Sequence, residues 1–265
     1  ASVAMIPMKH KARKRFGQNF LHDDHIIEAI VATINPAKND HLVEIGPGQG
    51  ALTSALVANC QRLDAIELDR DLLTLLLASF SIYPCFHLHN QDALKTDYQA
   101  LYQGTPLRVV GNLPYNISTP LILRLFEFAP IIQDMHFMLQ SEVVDRLTAV
   151  PHTKAWGRLG ILAQYLCHVE RVLDVPPEAF DPPPKVQSAV VKLTPKPVEQ
   201  IDKSQLERLQ VLVKQAFSQR RKTLRNTLKG WVDDHELERF GIDPSSRAET
   251  ISLDQWIQLS DGIEQ

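Results

Sequence analysis

The chain has 265 residues, of which 44% are hydrophobic and 22% charged, and its formal net charge is -3. This composition excludes a disordered chain, because it supplies enough apolar side chain for a folded core, and the length favours one large domain followed by a small one. No apolar run reaches the roughly 20 residues that cross a bilayer, and three scattered cysteines exclude a disulfide framework, so we expect a cytoplasmic protein with no membrane contact.

Two clusters of positive charge stand out against the slightly acidic average. They consist of Lys11, Arg13, Lys14 and Arg15 near the start and of Arg220, Arg221, Lys222 and Arg225 near the end. Clusters of this kind bind phosphate groups, so both are predicted to contact nucleic acid, and a solvated helix face is the alternative for the second. A basic start is also found in transit peptides, which direct proteins to organelles. Here the basic residues continue into a pattern typical of folded structure at residues 16–21, so we rank organelle targeting second to nucleic-acid contact.

The first predicted element in chain order is a helix. Ile26, Ile30 and Ile34 recur at helical spacing after Asp23 and Asp24, which can cap the first turn. Five strands are predicted: residues 42–45, residues 63–68, residues 85–88, a fourth strand that ends at residue 110, and residues 135–139. Helices are predicted at residues 51–58, at residues 71–78, from a cap at Thr119 and Pro120 onward, and at residues 142–149. Strands that alternate with helices predict an α/β fold with a parallel sheet covered on both faces.

The pattern changes after Gly160. A helix to Leu166 and strands at residues 169–173 and 186–193 are followed by proline-rich residues 194–197, the best linker candidate. Beyond this linker only helical patterns occur, with capping boxes predicted at Ser204 and at Ser252. We therefore predict a first domain of residues 1–196 and a small all-helical domain of residues 197–265.

Residues 44–50, which form the end of the predicted strand 42–45 and the turn after it, have the features of a cofactor site. Gly46 and Gly48 let the backbone pass close to a ligand. Glu67, at the end of the second strand, is predicted to bind ribose hydroxyls, and a solvated acid is its alternative. Asp92, after the third strand, is predicted to face an adenine amino group, and an ordinary turn aspartate is its alternative. The glycine pattern alone fits S-adenosylmethionine and a nicotinamide dinucleotide equally.

The most informative stretch is Asn112, Leu113, Pro114 and Tyr115, which follows the fourth strand at the edge where open α/β sheets bind ligands. An exocyclic adenine amine is a weak nucleophile because its lone pair is delocalised into the ring. The Asn112 amide oxygen and the Leu113 carbonyl oxygen can accept its hydrogen bonds, Pro114 stiffens the turn, and Tyr115 offers a stacking face. Phe180 is the candidate second wall around an unstacked base. An ordinary turn, and for Phe180 a hydrophobic plug, are the alternatives.

Six motifs that together span nearly the whole chain resemble one family, the ribosomal RNA adenine dimethyltransferases whose bacterial members confer kasugamycin sensitivity. The motifs are residues 16–21, 44–50, 66–69, 91–93, 111–115 and 180–186. The resemblance implies a class I S-adenosylmethionine-dependent methyltransferase, whose Rossmann-like sheet contains one antiparallel strand, followed by a helical domain that docks on the small ribosomal subunit. The implied cofactor contacts are Asn19 and Leu21 at the methionine end, Gly46 and Gly48 in the turn, Glu67 at the ribose, Asp92 at the adenine, and Asn112, which also orients the target amine.

The resemblance also implies a reaction: S-adenosylmethionine methylates two adjacent adenosines near the 3′ end of small-subunit 16S rRNA to N6,N6-dimethyladenosine during ribosome biogenesis. We expect the enzyme to act as a monomer. The alternatives are a large-subunit dimethyltransferase of the macrolide-resistance type, a non-catalytic ribosome assembly factor, and a nicotinamide oxidoreductase. His22 and His25 have metal-ligand spacing, but no third ligand cluster accompanies them in the sequence, so no metal site is predicted.

Overall fold

The computed structural model describes residues 18–263, in which strands and helices alternate through the first part of the chain. The predicted contacts of Lys11, Arg13, Lys14 and Arg15 lie outside the described residues. The strands are β1 Phe20–Leu21, β2 His41–Ile45, β3 Arg62–Ile66, β4 Phe86–His89, β5 Leu107–Asn112, β6 Ile132–Gln140, β7 Cys167–Val175, β8 Phe180–Asp181 and β9 Ser188–Pro195. The α-helices are α1 Asp24–Ile34, α2 Ala51–Leu56, α3 Arg70–Phe80, α4 Ser118–Phe126, α5 Ser141–Leu147, α6 Arg158–Leu166, α7 Lys203–Ala216, α8 Leu224–Thr227, α9 Asp234–Arg239 and α10 Leu253–Asp261.

A seven-stranded sheet in the order β4-β3-β2-β5-β6-β9-β7 organises the fold. The pairs β2 with β3, β3 with β4, β2 with β5 and β5 with β6 are parallel, which confirms the predicted parallel sheet. Successive strands run outward from β2 to β3 and β4 on one side, and from β5 to β6 on the other. The direction of winding therefore reverses between β2 and β5, and sheets of this kind bind ligands beyond the carboxyl ends of the strands at such a point.

The strands are buried because helices cover the sheet. All five residues of β2 are buried, as expected for a parallel strand that is covered on both faces. Two of the predicted caps are confirmed: the Asp23 carboxylate accepts hydrogen bonds from the backbone at the start of α1, and Ser252 and Gln255 form the reciprocal capping box of α10.

Two other predicted helix starts are wrong. Asp202, and not Ser204, caps α7, because its carboxylate accepts hydrogen bonds from the backbone N–H groups of Ser204 and Gln205, which the helix leaves unpaired. Helix α4 begins at Ser118, so the predicted cap at Thr119 already lies inside the helix, and Ile117 stands at the cap position without a side-chain hydrogen bond.

A buried guanidinium joins α1 to the sheet. Arg108 in β5 forms ion pairs with Asp134 in β6, at 3.0 Å, and with Asp40 before β2, at 2.8 Å. It also donates to the carbonyl oxygens of Ile34 and Asn35 at the end of α1. The positive charge therefore satisfies two carboxylates and the C-terminal end of a helix whose dipole favours a cation there.

The chain divides into two compact units. The first consists of the described residues through Gln140 together with Val172–Val191, and the second of Ser141–Arg171 together with the described residues from Lys192 onward. This division differs from the predicted boundary at residue 196, because α5 and α6 group with the C-terminal helices. Residues 194–197, predicted as a linker, are partly strand, since β9 extends to Pro195.

The second unit is centred on two buried tryptophans. Trp156 is 1% exposed and donates from its indole nitrogen to the carbonyl oxygen of Ile251 over 2.7 Å. Trp256 in α10 is fully buried and packs on Phe217 with the ring centroids 5.9 Å apart. Beyond residue 197 the described chain contains helices and turns, as predicted. In the described residues, none of the helices has the length and apolarity needed to cross a membrane.

Candidate active site

A cavity of about 340 Å³ opens in the first unit where β2, β3, β4 and β5 end. The residues that follow each of these strands line it, and residues 18–21 close it from another side. Among the predicted site residues, the cavity is lined by Asn19, Leu21, Gly46, Gly48, Glu67, Asp92, Asn112, Leu113 and Pro114. The structure therefore brings together nine side chains or backbone segments that the sequence distributes over nearly a hundred positions.

The glycine turn needs its glycines for backbone reasons. Gly46 and Gly48 have φ values of +64° and +59°, which other residues adopt only with strain. A side chain at Gly48 would also crowd Phe20, since a Cβ built there lies 3.0 Å from the phenylalanine ring. The turn thus packs against β1 while its backbone faces the cavity.

The Glu67 carboxylate is held in place by the backbone. Strand β3 ends at Ile66, earlier than the predicted residue 68, so Glu67 begins the loop at the sheet edge. Its two oxygens accept hydrogen bonds from the N–H groups of Gly48, at 3.2 Å, and Asp69, at 3.0 Å. Burial raises the pKa of Glu67 despite these two bonds. Each oxygen retains lone pairs that can accept from a ligand hydroxyl.

Asp92 occupies the loop after β4 and lines the same cavity. Its Oδ1 accepts a hydrogen bond from the backbone N–H of Leu94 over 2.9 Å. This bond is that of a turn aspartate, which was the alternative, and it leaves the second carboxylate oxygen available for an amino group. The geometry is therefore compatible with both interpretations of this residue.

The Asn112 side chain is anchored by the segment at the start of the described chain. Its Nδ2 donates to the carbonyl oxygen of Asn19 over 2.8 Å. Because an amide has one donor end and one acceptor end, this bond fixes the donor end and leaves Oδ1 as an acceptor. The next backbone N–H, of Leu113, donates to the carbonyl oxygen of Met138 in β6 over 3.2 Å, which holds the start of the turn against the sheet.

The two aromatic candidates lie in different surroundings. Tyr115 is 56% exposed and follows the cavity residue Pro114. Phe180 is 3% exposed and belongs to the hydrophobic core, where β8 pairs antiparallel with β1 and sets Phe180 opposite Leu21. In the described chain, the structure does not bring either ring into the lining of the cavity. The position of Phe180 fits the alternative of a hydrophobic plug.

The second basic cluster is only partly available to a ligand. Arg220 donates to the backbone oxygens of Lys154 and Trp156, at 3.0 and 3.4 Å, and Arg225 is paired with Asp234 at 2.9 Å. Arg221 and Lys222 are exposed. The cluster therefore divides into two residues with intramolecular partners and two that present their charge to solvent.

Several cavity residues, Glu44 and Gln18 among them, were not among the predicted contacts. Glu44 lines the cavity and is 2% exposed, and burial is the main cause that raises its pKa to about 7 against the opposing hydrogen bond from Thr53. Its position near the end of β2, two residues before Gly46, is the sequence signal that points to it. Gln18 donates from its side chain to Asp69 over 2.9 Å, a contact between distant segments for which the sequence has no local signal.

Comparison with known proteins agrees with this geometry. A family model described as ribosomal RNA adenine dimethylase matches residues 9–265. The ribosomal RNA small subunit methyltransferase A of Saccharophagus degradans is 54% identical over 259 residues, which is 97% of this chain and 97% of that protein.

Two solved structures share the fold. A dimethyladenosine transferase from Plasmodium falciparum has a TM-score of 0.78 at 25% identity, over 92% of this chain and 98% of that chain. The 23S rRNA methyltransferase ErmE has a TM-score of 0.73 at 25% identity, over 93% of this chain and 100% of that chain. The predicted class I methyltransferase fold is confirmed by these neighbours. On the strength of a family model that covers nearly all of its length, the chain belongs to the ribosomal RNA adenine dimethylase family.

Proposed function

We propose that this enzyme transfers methyl groups from S-adenosylmethionine to N6 of two adjacent adenosines near the 3′ end of 16S rRNA, forming N6,N6-dimethyladenosine during small-subunit biogenesis. The single observation that carries the proposal is the anchored amide of Asn112 at the cavity. Its donor end is occupied by Asn19, so the remaining acceptor oxygen suits a substrate amine, which presents hydrogens.

The small-subunit substrate is favoured over the large-subunit one by degree of similarity. The relative named for the small subunit is 54% identical, whereas the 23S rRNA enzyme is 25% identical. The partner in this proposal is the small ribosomal subunit, and the enzyme acts on it as a cytoplasmic monomer.

The residues present fit an S-adenosylmethionine-type cofactor, which family membership implies. A volume of about 340 Å³ lies in the range of small-molecule sites, and the glycine turn leaves space where side chains would intrude. Glu67 would accept from the ribose hydroxyls, Asp92 from the adenine amino group, and the segment of Asn19 and Leu21 would contact the methionine end. When bound, the cofactor supplies an electrophilic methyl group on a sulfonium.

The protein's contribution to the reaction is to orient the amine. Oδ1 of Asn112 and the carbonyl oxygen of Leu113 accept its two hydrogens and favour a nitrogen whose lone pair is less delocalised. Pro114 holds the turn, and its carbonyl oxygen accepts from the N–H of Ile117 over 3.2 Å. Orientation of this kind contributes about 7 to 11 kcal/mol to a bimolecular step, so no strong base is required.

The target base reaches the cavity only after it leaves its stack, at a cost of a few kcal/mol. Tyr115, exposed beside the cavity residues, is the ring proposed to stack on it. Arg221 and Lys222 are proposed to contact phosphates elsewhere on the RNA, since both are exposed.

The test of the reaction is transfer of tritium from labelled S-adenosylmethionine to 30S-like particles. Asn112→Ala should keep its circular dichroism spectrum and most of its affinity for the cofactor by calorimetry, yet transfer label about 100-fold more slowly or worse. Asn39→Ala, at an exposed turn before β2, is the matched control and should retain full activity. Undiminished transfer by Asn112→Ala would remove the basis of the proposal.

The same assay separates the alternatives. A non-catalytic assembly factor would bind particles without transferring label, and a large-subunit enzyme would label protein-free 23S rRNA in preference to 30S-like particles. Mass-spectrometric mapping of the labelled nucleotides then identifies the modified adenosines and their number of methyl groups.

The proposed RNA contacts are tested by charge reversal. Arg221→Glu together with Lys222→Glu should weaken binding to 30S-like particles and lower the slope of log K against log salt by about 1 to 2. Lys38→Glu, at an exposed position in the first unit, is the control for a general charge effect. An unchanged slope in the double variant would assign the two residues to a solvated turn between α7 and α8.

A further inference from the structure

Two of the three cysteines lie together at the edge of the sheet opposite the cavity. Cys60 precedes β3 and Cys85 precedes β4, and these parallel strands are neighbours with Leu63 opposite Phe86. Since parallel strands begin at the same edge, the two cysteines are brought to one place from positions far apart in the sequence. Extended back by one residue, this register sets Cys85 level with Arg62 and two residues from Cys60, so the cysteines form a diagonal pair across strands about 4.8 Å apart. A disulfide requires their Cα atoms to lie roughly 4.4 to 6.8 Å apart.

The two thiols share one hydrogen-bond acceptor. Sγ of Cys85 donates to the carbonyl oxygen of Val57 over 3.1 Å, and Sγ of Cys60 donates to the same oxygen over 3.8 Å. The neighbouring Cys85 is also one of the causes that raise the pKa of Cys60, after burial. Both cysteines are only partly buried, and the residues just before each of them are exposed, so small reagents have access to the pair. Cys167 differs, because it is buried in the second unit at 2% exposure.

We propose that Cys60 and Cys85 form a dithiol modification site, which a low-molecular-weight disulfide such as glutathione disulfide converts to an intramolecular disulfide. The site is separate from the methyl-transfer cavity and independent of the function proposed above. The bond would enclose residues 61–84, which include β3, α3 and the cavity residue Glu67.

The chemistry balances in two exchange steps. The Cys85 thiolate attacks one sulfur of the reagent, which forms a mixed disulfide and releases one thiolate of the reagent. Cys60 then loses its proton to solvent and attacks the Cys85 sulfur, which releases the second thiolate. The two protein thiols are oxidised and one reagent disulfide is reduced to two thiols. Rotation of the side chains must bring the sulfurs to about 2.05 Å.

The order of attack follows from the surroundings of Cys60. Burial, and after it the neighbouring Cys85, raise the pKa of Cys60 to about 12, so Cys60 is a protonated thiol at neutral pH and attacks second. Once Cys85 is held in a mixed disulfide, its charge and its hydrogen bond no longer raise the pKa of Cys60. The first step therefore removes the smaller causes of the raised pKa of Cys60, while burial, the largest cause, remains.

The test incubates the reduced full-length protein with glutathione disulfide and maps the products by mass spectrometry. We expect loss of two hydrogens from the intact mass, a cross-linked peptide pair containing Cys60 and Cys85, and unmodified Cys167 as the internal control. Cys60→Ser should stop at a glutathione adduct on Cys85, because the second attack is missing. A stable glutathione adduct in the wild-type protein, or cross-links only between molecules, would overturn the proposal.

A second measurement does not depend on oxidation. Phenylarsine oxide bridges two neighbouring thiols, so the reduced wild-type protein should bind one equivalent at micromolar concentration, and Cys60→Ser and Cys85→Ser should each bind at least tenfold more weakly. Equal binding by the wild type and both variants would show that the thiols are too far apart. Methyl transfer by the oxidised protein should stay within twofold of the reduced value, since the pair lies at the far end of β3 from the cavity.

Discussion

The carboxyl group of Glu44 should lower the stability of the protein as the pH rises from 4.5 to 7. This side chain is 2% exposed in β2, and its Oε1 accepts from the Thr53 hydroxyl over 2.5 Å. Burial, and to a smaller extent the nearby charge of Glu67, raise its pKa from 4.5 to about 7 against the effect of the Thr53 hydrogen bond. The folded protein therefore keeps a proton that the unfolded chain releases.

The sign and size of the effect follow from this difference. Below pH 4.5 both states are protonated, and the contribution of Glu44 is fully present; as the pH rises towards 7 the unfolded state gains the free energy of ionisation and the folded state does not. At about 1.4 kcal/mol for each pKa unit, the loss amounts to about 3 kcal/mol above pH 7. Glu44→Gln keeps an acceptor for Thr53 and has no proton to lose, so it should lack this contribution.

The assay is urea unfolding of the wild type and of Glu44→Gln at pH 5, 6, 7 and 8. The stability of the variant relative to the wild type should increase by about 2.5 kcal/mol between pH 5 and pH 8, since part of the change lies below pH 5. Glu28→Gln, at an exposed position in α1, should follow the wild type throughout. If Glu44→Gln shows the same pH dependence as the wild type, the carboxyl group is ionised in the folded protein and the argument from its burial is refuted.

Two further substitutions test the packing of the sheet. Gly111→Ala should destabilise the protein by about 3 kcal/mol or more in urea unfolding, because the new Cβ would lie 2.5 Å from the backbone oxygen of Ile45; Gly262→Ala, where the nearest atom would be 3.5 Å away, should change stability by less than about 0.5 kcal/mol. Arg108→Met should cost about 3 to 5 kcal/mol, since it leaves the Asp134 carboxylate, 8% exposed, buried without its partner. Asp134→Asn in the Arg108→Met background should recover part of this loss, and no recovery would locate the cost elsewhere.

Local sequence patterns predicted the sheet well because its strands are set by local composition. The apolar run of β2 and the capping carboxylate of Asp23 depend on neighbours only a few residues away, and both predictions are confirmed. The start of α7 depends on more than local preference. Asp202 and Ser204 are both capable caps, and the path by which the chain enters the helix, which the sequence does not display, decides between them.

The candidate site was predictable where it consists of strand ends. Residues after β2, β3, β4 and β5 must meet at one edge of a parallel sheet, so the strand pattern alone groups the glycine turn with Glu67, Asp92 and Asn112. The anchoring of Asn112 by Asn19 could not be predicted in this way, because it joins segments from distant parts of the chain.

The surroundings of Phe180 were beyond local patterns for the same reason. Its pairing with Leu21 is a long-range contact that turns an apparently available aromatic ring into a core residue. The grouping of Ser141–Arg171 with the C-terminal helices is also a long-range property. In each case packing between distant segments, which local sequence patterns do not display, decided the outcome.

The short ladder between β1 and β8 has a consequence for synthesis of the protein. One wall of the cavity, Phe20 and Leu21, is secured by Phe180 and Asp181, which the ribosome adds long after the other cavity residues. A nascent chain can thus assemble β2 to β6 early, but it cannot complete the cavity until residue 181 has emerged from the exit tunnel. Ligand capture that needs this wall is therefore confined to chains in which residues 180 and 181 have already been added.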